Sequence, residues 1–239
     1  MKKSTIKKLE SYRRDYIGNV YHELKTPIFN IQGYVLTLLD GGLEDPSINR
    51  EYLLRTEKSI NRLIEIIEDL ESISRLESDV VTLNLGKFNI FTLVKEVIEL
   101  LVVKAKKRKN RIFFDDMNNT QIFVYADREK IHQVLSNLID NAVKYGKQKD
   151  GETRISFLDM GENILVEITD NGMGVERKYI HRLFERFYRT DEGRSRDPNG
   201  TGLGLSIVKH IIEAHNQSIN IRSTFGEGTT ITFTLKKAD

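Results

Sequence analysis

The sequence predicts an α plus α/β architecture, with a helical hairpin over residues 1–80 and an α/β sandwich over residues 81–239. Three observations predict it. Up to Leu76 the apolar residues recur three or four apart in two long stretches, and beyond it the segments are short and mix period 2 with period 3.6. The length of 239 residues exceeds one average domain. A composition of 39% hydrophobic and 30% charged residues allows folded cores under a solvated surface.

The first helix is expected from about Ile6 to Asp40, with Ile17, Val20, Leu24, Ile28, Ile31, Val35 and Leu38 on one face. Gly41, Gly42 and Pro46 interrupt it, and a second stripe runs through Leu53, Ile60, Leu63, Ile64, Ile67, Leu70 and Ile73. Two such helices cannot enclose all their apolar surface against each other. Pairing with a second copy into a four-helix bundle solves this, so a homodimer is expected.

In the second region strand-like alternation falls at Val80 to Leu85, Ile155 to Leu158, Ile164 to Thr169 and Thr229 to Leu235. Helical patterns fall at Ile90 to Lys106, Arg128 to Tyr145, Lys178 to Phe184 and Gly204 to His215. Helices on one face of a mixed or antiparallel sheet follow from this order.

Thirty-seven basic against 35 acidic residues give a net charge of +2, which argues against a nucleic acid as main partner. The run KAKKRKNR from Lys104 to Arg111 lacks stacking aromatics and reads as the cationic end of a helix. There is no cysteine, which fits a reducing compartment, so the expected location is cytoplasmic. No stretch approaches the roughly 18 apolar residues of a membrane span, and no signal-peptide core follows MKKSTIKKLE. The chain opens almost directly into a helical pattern, as expected of a piece of something longer.

At about 100° per residue, His22 points away from the apolar stripe of its helix. Asn19, Glu23 and Thr26 lie on or beside the same exposed side. A neutral imidazole attacks phosphorus through one ring nitrogen if the other holds its proton against an acceptor, and Glu23 is the nearest candidate. Pro27 removes the backbone bond to the carbonyl of Glu23 and is expected to kink the helix. A lone exposed histidine is more often an ordinary surface residue; the string HELKTP as a whole argues otherwise.

Four further motifs follow in order. Asn137, Asn141, Lys144 and Tyr145 share one side of a helix. Asp170-Asn171-Gly172-Met173-Gly174 comes directly after a strand and by itself reads as a hairpin turn. In Leu183-Phe184-Glu185-Arg186-Phe187-Tyr188-Arg189 the two phenylalanines read as helix-core anchors. Gly200-Thr201-Gly202-Leu203-Gly204 opens an apolar helix, where backbone N–H groups can meet phosphate. The charged stretch between Thr190 and Asn199 has no apolar anchor and reads as a mobile lid.

HELKTP resembles the phosphoacceptor motif of the sensor histidine kinases, a likeness covering about residues 5 to 78. The four later motifs together resemble the N, first glycine, F and second glycine boxes of that family's ATP-binding domain, from about Lys87 to Leu235. DYIGNVYHELKTP is similar to the phosphate-regulon sensor subclass. The resemblance implies autophosphorylation of His22 with ATP and Mg2+, and transfer to an aspartate of a response regulator. It also implies a parent protein in the inner membrane with this part in the cytoplasm.

By matching residues, the resemblance implies that Asn141 binds magnesium, Lys144 contacts phosphate and Tyr145 packs against adenine, with Asn137 on the same face. It makes Asp170 the acceptor for the adenine amino group, with Gly172 and Gly174 giving the base close access. Gly200, Thr201, Gly202, Leu203 and Gly204 would shape the lid and phosphate loop, and Arg189 is a candidate for the γ-phosphate. Glu23 would be base or orienter, and Thr26 would orient a hydrolytic water in a phosphatase reaction. One departure is Asn216-Gln217, where the family often carries paired glycines; a left-handed helix end tolerates asparagine. Two other functions compete. An ATPase of the wider superfamily uses a glutamate where this chain has Asn137, a poor base, and a non-catalytic scaffold would show an impaired site.

Overall fold

The computed structural model describes residues 2–77, 82–115, 120–197 and 200–238, the side chains of 2–15 and 75–77 excepted. The chain divides into two compact units, Met1–Ser72 and Ile73–Asp239. The expected boundary at residue 80 lies outside the described residues.

In the first unit α1 spans Lys2–Thr37 and α2 spans Asn49–Glu77. The helical hairpin is present as the stripes require. Pro27 is buried inside α1, which continues through it, and the Thr26 hydroxyl donates to the carbonyl of His22 at 3.3 Å. At the end of α1 the turn widens over Leu38–Gly42, with Gly41 at φ +93°. A glycine there reverses the chain without steric cost. Tyr34 and Tyr52 meet edge to face at 5.6 Å, and Leu38 and Ile66 are buried. Half of the predicted stripe is not covered. Ile17, Ile28, Val35, Leu53, Ile60, Ile64 and Ile67 keep 40% to 58% of their surface exposed in the single chain.

The second unit holds β1 (Leu85–Asn89), α3 (Ile90–Lys107), β2 (Asn110–Phe114), β3 (Phe123–Asp127) and α4 (Arg128–Tyr145). It continues with β4 (Gly151–Asp159), β5 (Asn163–Asp170), α5 (Arg177–Ile180), α6 (Asp191–Arg196), α7 (Gly204–Ala214), β6 (Ile219–Thr224) and β7 (Gly228–Lys236). Five strands form a mixed sheet in the order β2-β4-β5-β7-β6, in which only β2 and β4 are parallel. A two-stranded ribbon pairs β1 with β3.

The core is set by patterns of two periods. Ile164, Val166 and Ile168 alternate on β5 and are buried, as are Ile131, Val134, Leu135, Leu138, Ile139, Ala142 and Val143 along one side of α4. Phe91, Val94 and Val97 of α3 and Ile207, Val208, Ile211 and Ile212 of α7 complete it. The opposite sheet face is polar, and charge alternates across it from Asp115 to Arg154, Glu167 and Arg222 at 3.6, 3.9 and 3.4 Å. The last residues fasten the ribbon: the Ala238 N–H donates to the Phe123 carbonyl at 3.0 Å, and Val124 bridges to Lys237.

Helix ends follow local chemistry. Asn89 and Asp127 cap α3 and α4 by accepting from the N–H groups of Thr92 and Lys130 at 3.3 and 3.1 Å. Beyond α7, Asn216 takes φ +55°, and the N–H groups of Asn216 and Gln217 reach the carbonyls of Glu213 and Ile212 at 2.9 and 3.1 Å. This is the left-handed end that asparagine tolerates.

Several elements differ from expectation. The strand expected at Val80 to Leu85 appears at Leu85–Asn89; Val80 and Val81 lie outside the described residues. The helix expected to reach Phe184 stops at Ile180 and gives way to turns. Strands β2, β3 and β6 and the short helix α6 were not anticipated.

Candidate functional site

His22 lies exposed on α1, its ring edge-on to Tyr21 at 6.0 Å. The carboxylate of Glu23 is engaged elsewhere. Its Oε2 accepts from Arg62 of α2 at 3.1 Å, and Arg62 also lies 3.7 Å from Glu65. The charge-assisted bond ties the two helices together. Thr26 is exposed one turn further on.

In the second unit the buried stripe of α4 turns its other side outward, and Asn137, Asn141, Lys144 and Tyr145 lie half-buried along it. The Asn137 amide donates to the Gln133 carbonyl at 3.0 Å, which leaves Oδ1 facing the start of α7. A Cβ at Gly204 would lie 2.6 Å from that oxygen, so a larger residue there would push the Asn137 amide aside. Lys144 bonds Asp140 at 2.9 Å. Amide and carboxylate oxygens on one helix face are hard donors that suit magnesium carried by phosphate. Among the described residues no cluster of three or more histidine or acidic side chains could hold a metal without such a ligand.

Asp170 ends β5 with 8% exposure, and its Oδ1 accepts from the Gly172 N–H at 2.8 Å. Burial raises its pKa to about 6, against the lowering effect of bonds from the Gly172 and Thr229 backbone. Such a carboxylate, away from water, presents a directional acceptor suited to an amino group. The following loop is not the hairpin turn that Asn-Gly alone suggests, because β5 pairs with β4 and β7 and the chain leaves toward α5. Gly172 and Gly174 are required by protein packing: a Cβ would lie 2.1 Å from the Tyr145 carbonyl oxygen in one case and 1.9 Å from that of Thr224 in the other. The loop is thereby pressed against the end of α4, and Met173 N–H bonds the Tyr145 carbonyl at 3.3 Å.

Phe187 is buried, but it sits at φ +61° outside any helix, its N–H bonded to the Gly202 carbonyl at 2.9 Å. The reading of both phenylalanines as helix anchors therefore fails: Phe184 too lies in the turns beyond Ile180 and is only half-buried. Gly202, at φ +72°, packs on the Phe187 backbone. Thr201 accepts from the Leu203 N–H at 3.1 Å, and Leu203 is fully buried, so these two shape the loop from within. Gly200 lies against the Arg189 guanidinium, and Arg189 donates to the Gly200 and Gly193 carbonyls at 2.6 and 2.8 Å. The segment read as an unanchored lid contains α6, capped by Thr190, which accepts from the Gly193 N–H at 3.1 Å.

Sequence reasoning missed Asp140, Arg196 and Asp197. Arg196 donates to the Lys144 carbonyl at 3.2 Å and also to that of Gly146, and Asp197 lies 3.3 Å from the Lys144 ammonium. Only Asp140 was within reach of a sequence signal, being placed a turn before Lys144.

Residues 126–239 match the family described as histidine kinase-, DNA gyrase B- and HSP90-like ATPases, and residues 12–79 match the His kinase A phosphoacceptor domain. The sensor histidine kinase WalK of Bacillus subtilis is 34% identical over 229 residues, which are 95% of this chain and 37% of that protein. The chain thus spans little more than a third of that relative's length. Among solved structures, the Acinetobacter baumannii histidine kinase AdeS superposes with a TM-score of 0.73 at 28% identity, over 91% of this chain and 98% of that one. Histidine kinase ThkA, solved in complex with the response regulator protein TrrA, superposes with a TM-score of 0.76 at 26% identity, over 97% and 64%. An acceptor-domain match on the hairpin followed by an ATPase-domain match on the sheet is the arrangement of one family, and the chain belongs to the sensor histidine kinases.

Proposed function

We propose that this chain uses ATP with Mg2+ to phosphorylate His22 and passes the phosphoryl group to an aspartate of a response regulator. The observation that carries the reading is the exposed imidazole of His22 in the acceptor-domain match, in a chain whose other unit sets Asp170 and the α4 amides around a loop-lined site. One ring nitrogen attacks the γ-phosphorus, ADP leaves, and the other ring nitrogen keeps its proton. Glu23, next in sequence to His22, would orient the ring only by exchanging its bond to Arg62 for one to the imidazole. Lys144 steadies the phosphates, Asp170 accepts from the adenine amino group, and Tyr145 packs on the base. Asn141 would hold magnesium together with the phosphates, and the ion would supply charge neutralisation when bound.

Incubation with γ-labelled ATP tests this. Acid-labile label should appear on the wild type and be absent from His22→Gln, while nucleotide binding is unchanged. Label that persists in the variant refutes the assignment of His22.

Three further parts belong to the same reading. The exposed apolar stripe of the hairpin supports a homodimer that closes a four-helix bundle. The complex of ThkA with a response regulator supports a receiver domain as partner. Thr26, exposed beside His22, would orient water for dephosphorylation of that receiver, so Thr26→Ala should keep autophosphorylation and lose the phosphatase reaction. No helix of the described residues is long and apolar enough to cross a membrane; a membrane-bound parent is proposed from the family.

A further inference from the structure

Lys144, the candidate phosphate contact, is already ion-paired. Its ammonium lies 2.9 Å from Asp140 and 3.3 Å from Asp197, and Lys104 of α3 bonds the other oxygen of Asp140. Charge therefore alternates through Lys104, Asp140, Lys144 and Asp197, from α3 across α4 to the residue after α6. Burial works to lower the Lys144 pKa, but the two carboxylates outweigh it and hold the group above its usual value. The cation is thus secured as a cation.

The same segment is clasped twice more. Arg189 gathers the carbonyls of Gly193, Asp197 and Gly200 around one guanidinium. Arg196 sits on the carbonyls of Lys144 and Gly146, at the negative end of α4. The two acidic partners of Lys144 are not equivalent. Asp140 is one turn away on the same helix and shared with Lys104, whereas Asp197 arrives from the segment that follows α6.

We propose that Asp197 is a built-in surrogate for phosphate: its carboxylate occupies the cation that a nucleotide's phosphates require and is displaced when they bind. The proposal rests on Lys144 being a phosphate contact. Asp197 then sets how strongly the site prefers a polyphosphate, because only a ligand carrying phosphates competes with it. Adenosine, which reaches the Asp170 end alone, is indifferent to it.

Equilibrium dialysis of ATP and adenosine against wild type, Asp197→Asn and Asp197→Ala, at fixed magnesium and ionic strength, tests it. Both variants should bind ATP about five-fold more tightly and adenosine as before, the size expected when a single ion pair, buried at Asp197 and half-buried at Lys144, no longer competes. Unchanged or weaker ATP affinity in both variants, or a tightening that adenosine shares, overturns it. Lys144→Ala separates this from the reading beneath it: if the preference for ATP over adenosine survives that change, Lys144 is not the phosphate contact and the proposal falls with it.

Discussion

At the scale of the residue, Asp170 combines two opposed demands. Its carboxylate is 8% exposed and its pKa is raised to about 6, so the folded state binds a proton that the unfolded chain releases near its ordinary value of 3.8. The stabilising contribution is therefore complete below about pH 4 and is lost as pH rises through about 6, amounting to on the order of 3 kcal/mol. Urea unfolding of wild type and Asp170→Asn should show the variant gaining relative stability as pH rises from about 4 to 7, and a constant difference would contradict the burial mechanism. The same variant should lose adenine binding. Gly174 makes a complementary case: at φ +63°, with a Cβ that would lie 1.9 Å from the Thr224 oxygen, Gly174→Ala should cost about 2 kcal/mol or more and weaken nucleotide binding. Neither property could be read from the sequence. The DNGMG string names the residues, but the carbonyls that crowd the glycines come from α4 and β6.

At the scale of the element, α4 shows why some boundaries were legible. Asp127 announces its start and Gly146 its end, and the apolar spacing between them is unbroken, so the expected Arg128 to Tyr145 is the observed helix. Asp127 also accepts from the Asn84 N–H at 2.9 Å, and its own N–H bonds the His215 ring at 3.0 Å. Asp127→Ala should therefore lower stability by about 1 to 2 kcal/mol, measured as a shift in the urea midpoint without a change in slope. Strands β2, β3 and β6 were missed because each is five or six residues long and only partly buried, too short for alternation to register. Helix α6 is entirely polar, DEGRSR, and owes its place to Thr190, Arg189 and Arg196, partners that no periodicity reveals. Phe187 was misread because the spacing of two aromatics suggests a helix where a left-handed residue turns the chain.

At the scale of the whole molecule, the two units have different debts to their surroundings. The sheet unit buries its own stripes, whereas the hairpin leaves Ile28 and Ile60 47% and 42% exposed. Charging both, as Ile28→Glu with Ile60→Glu, should convert a dimer to a monomer in sedimentation equilibrium while leaving the nucleotide affinity of the sheet unit unchanged. A wild-type monomer at micromolar concentration would oppose the dimer. The change in periodicity near Leu76 made the two-part organisation legible, and the phosphoacceptor and glycine-box strings made the family so. What was not legible is the wiring between distant positions, such as Lys144 with Asp197, since ion pairs across more than fifty residues leave no local trace.

The backbone bond from Ala238 to Phe123 also has a practical reach. Lys237 and Ala238 stitch down the ribbon that begins the sheet unit, so Ala238→Pro, which removes the donating N–H, should loosen Phe123 and Val124 first, visible as faster amide exchange there. Any sequence joined directly after Ala238 needs a spacer that leaves the stitch intact.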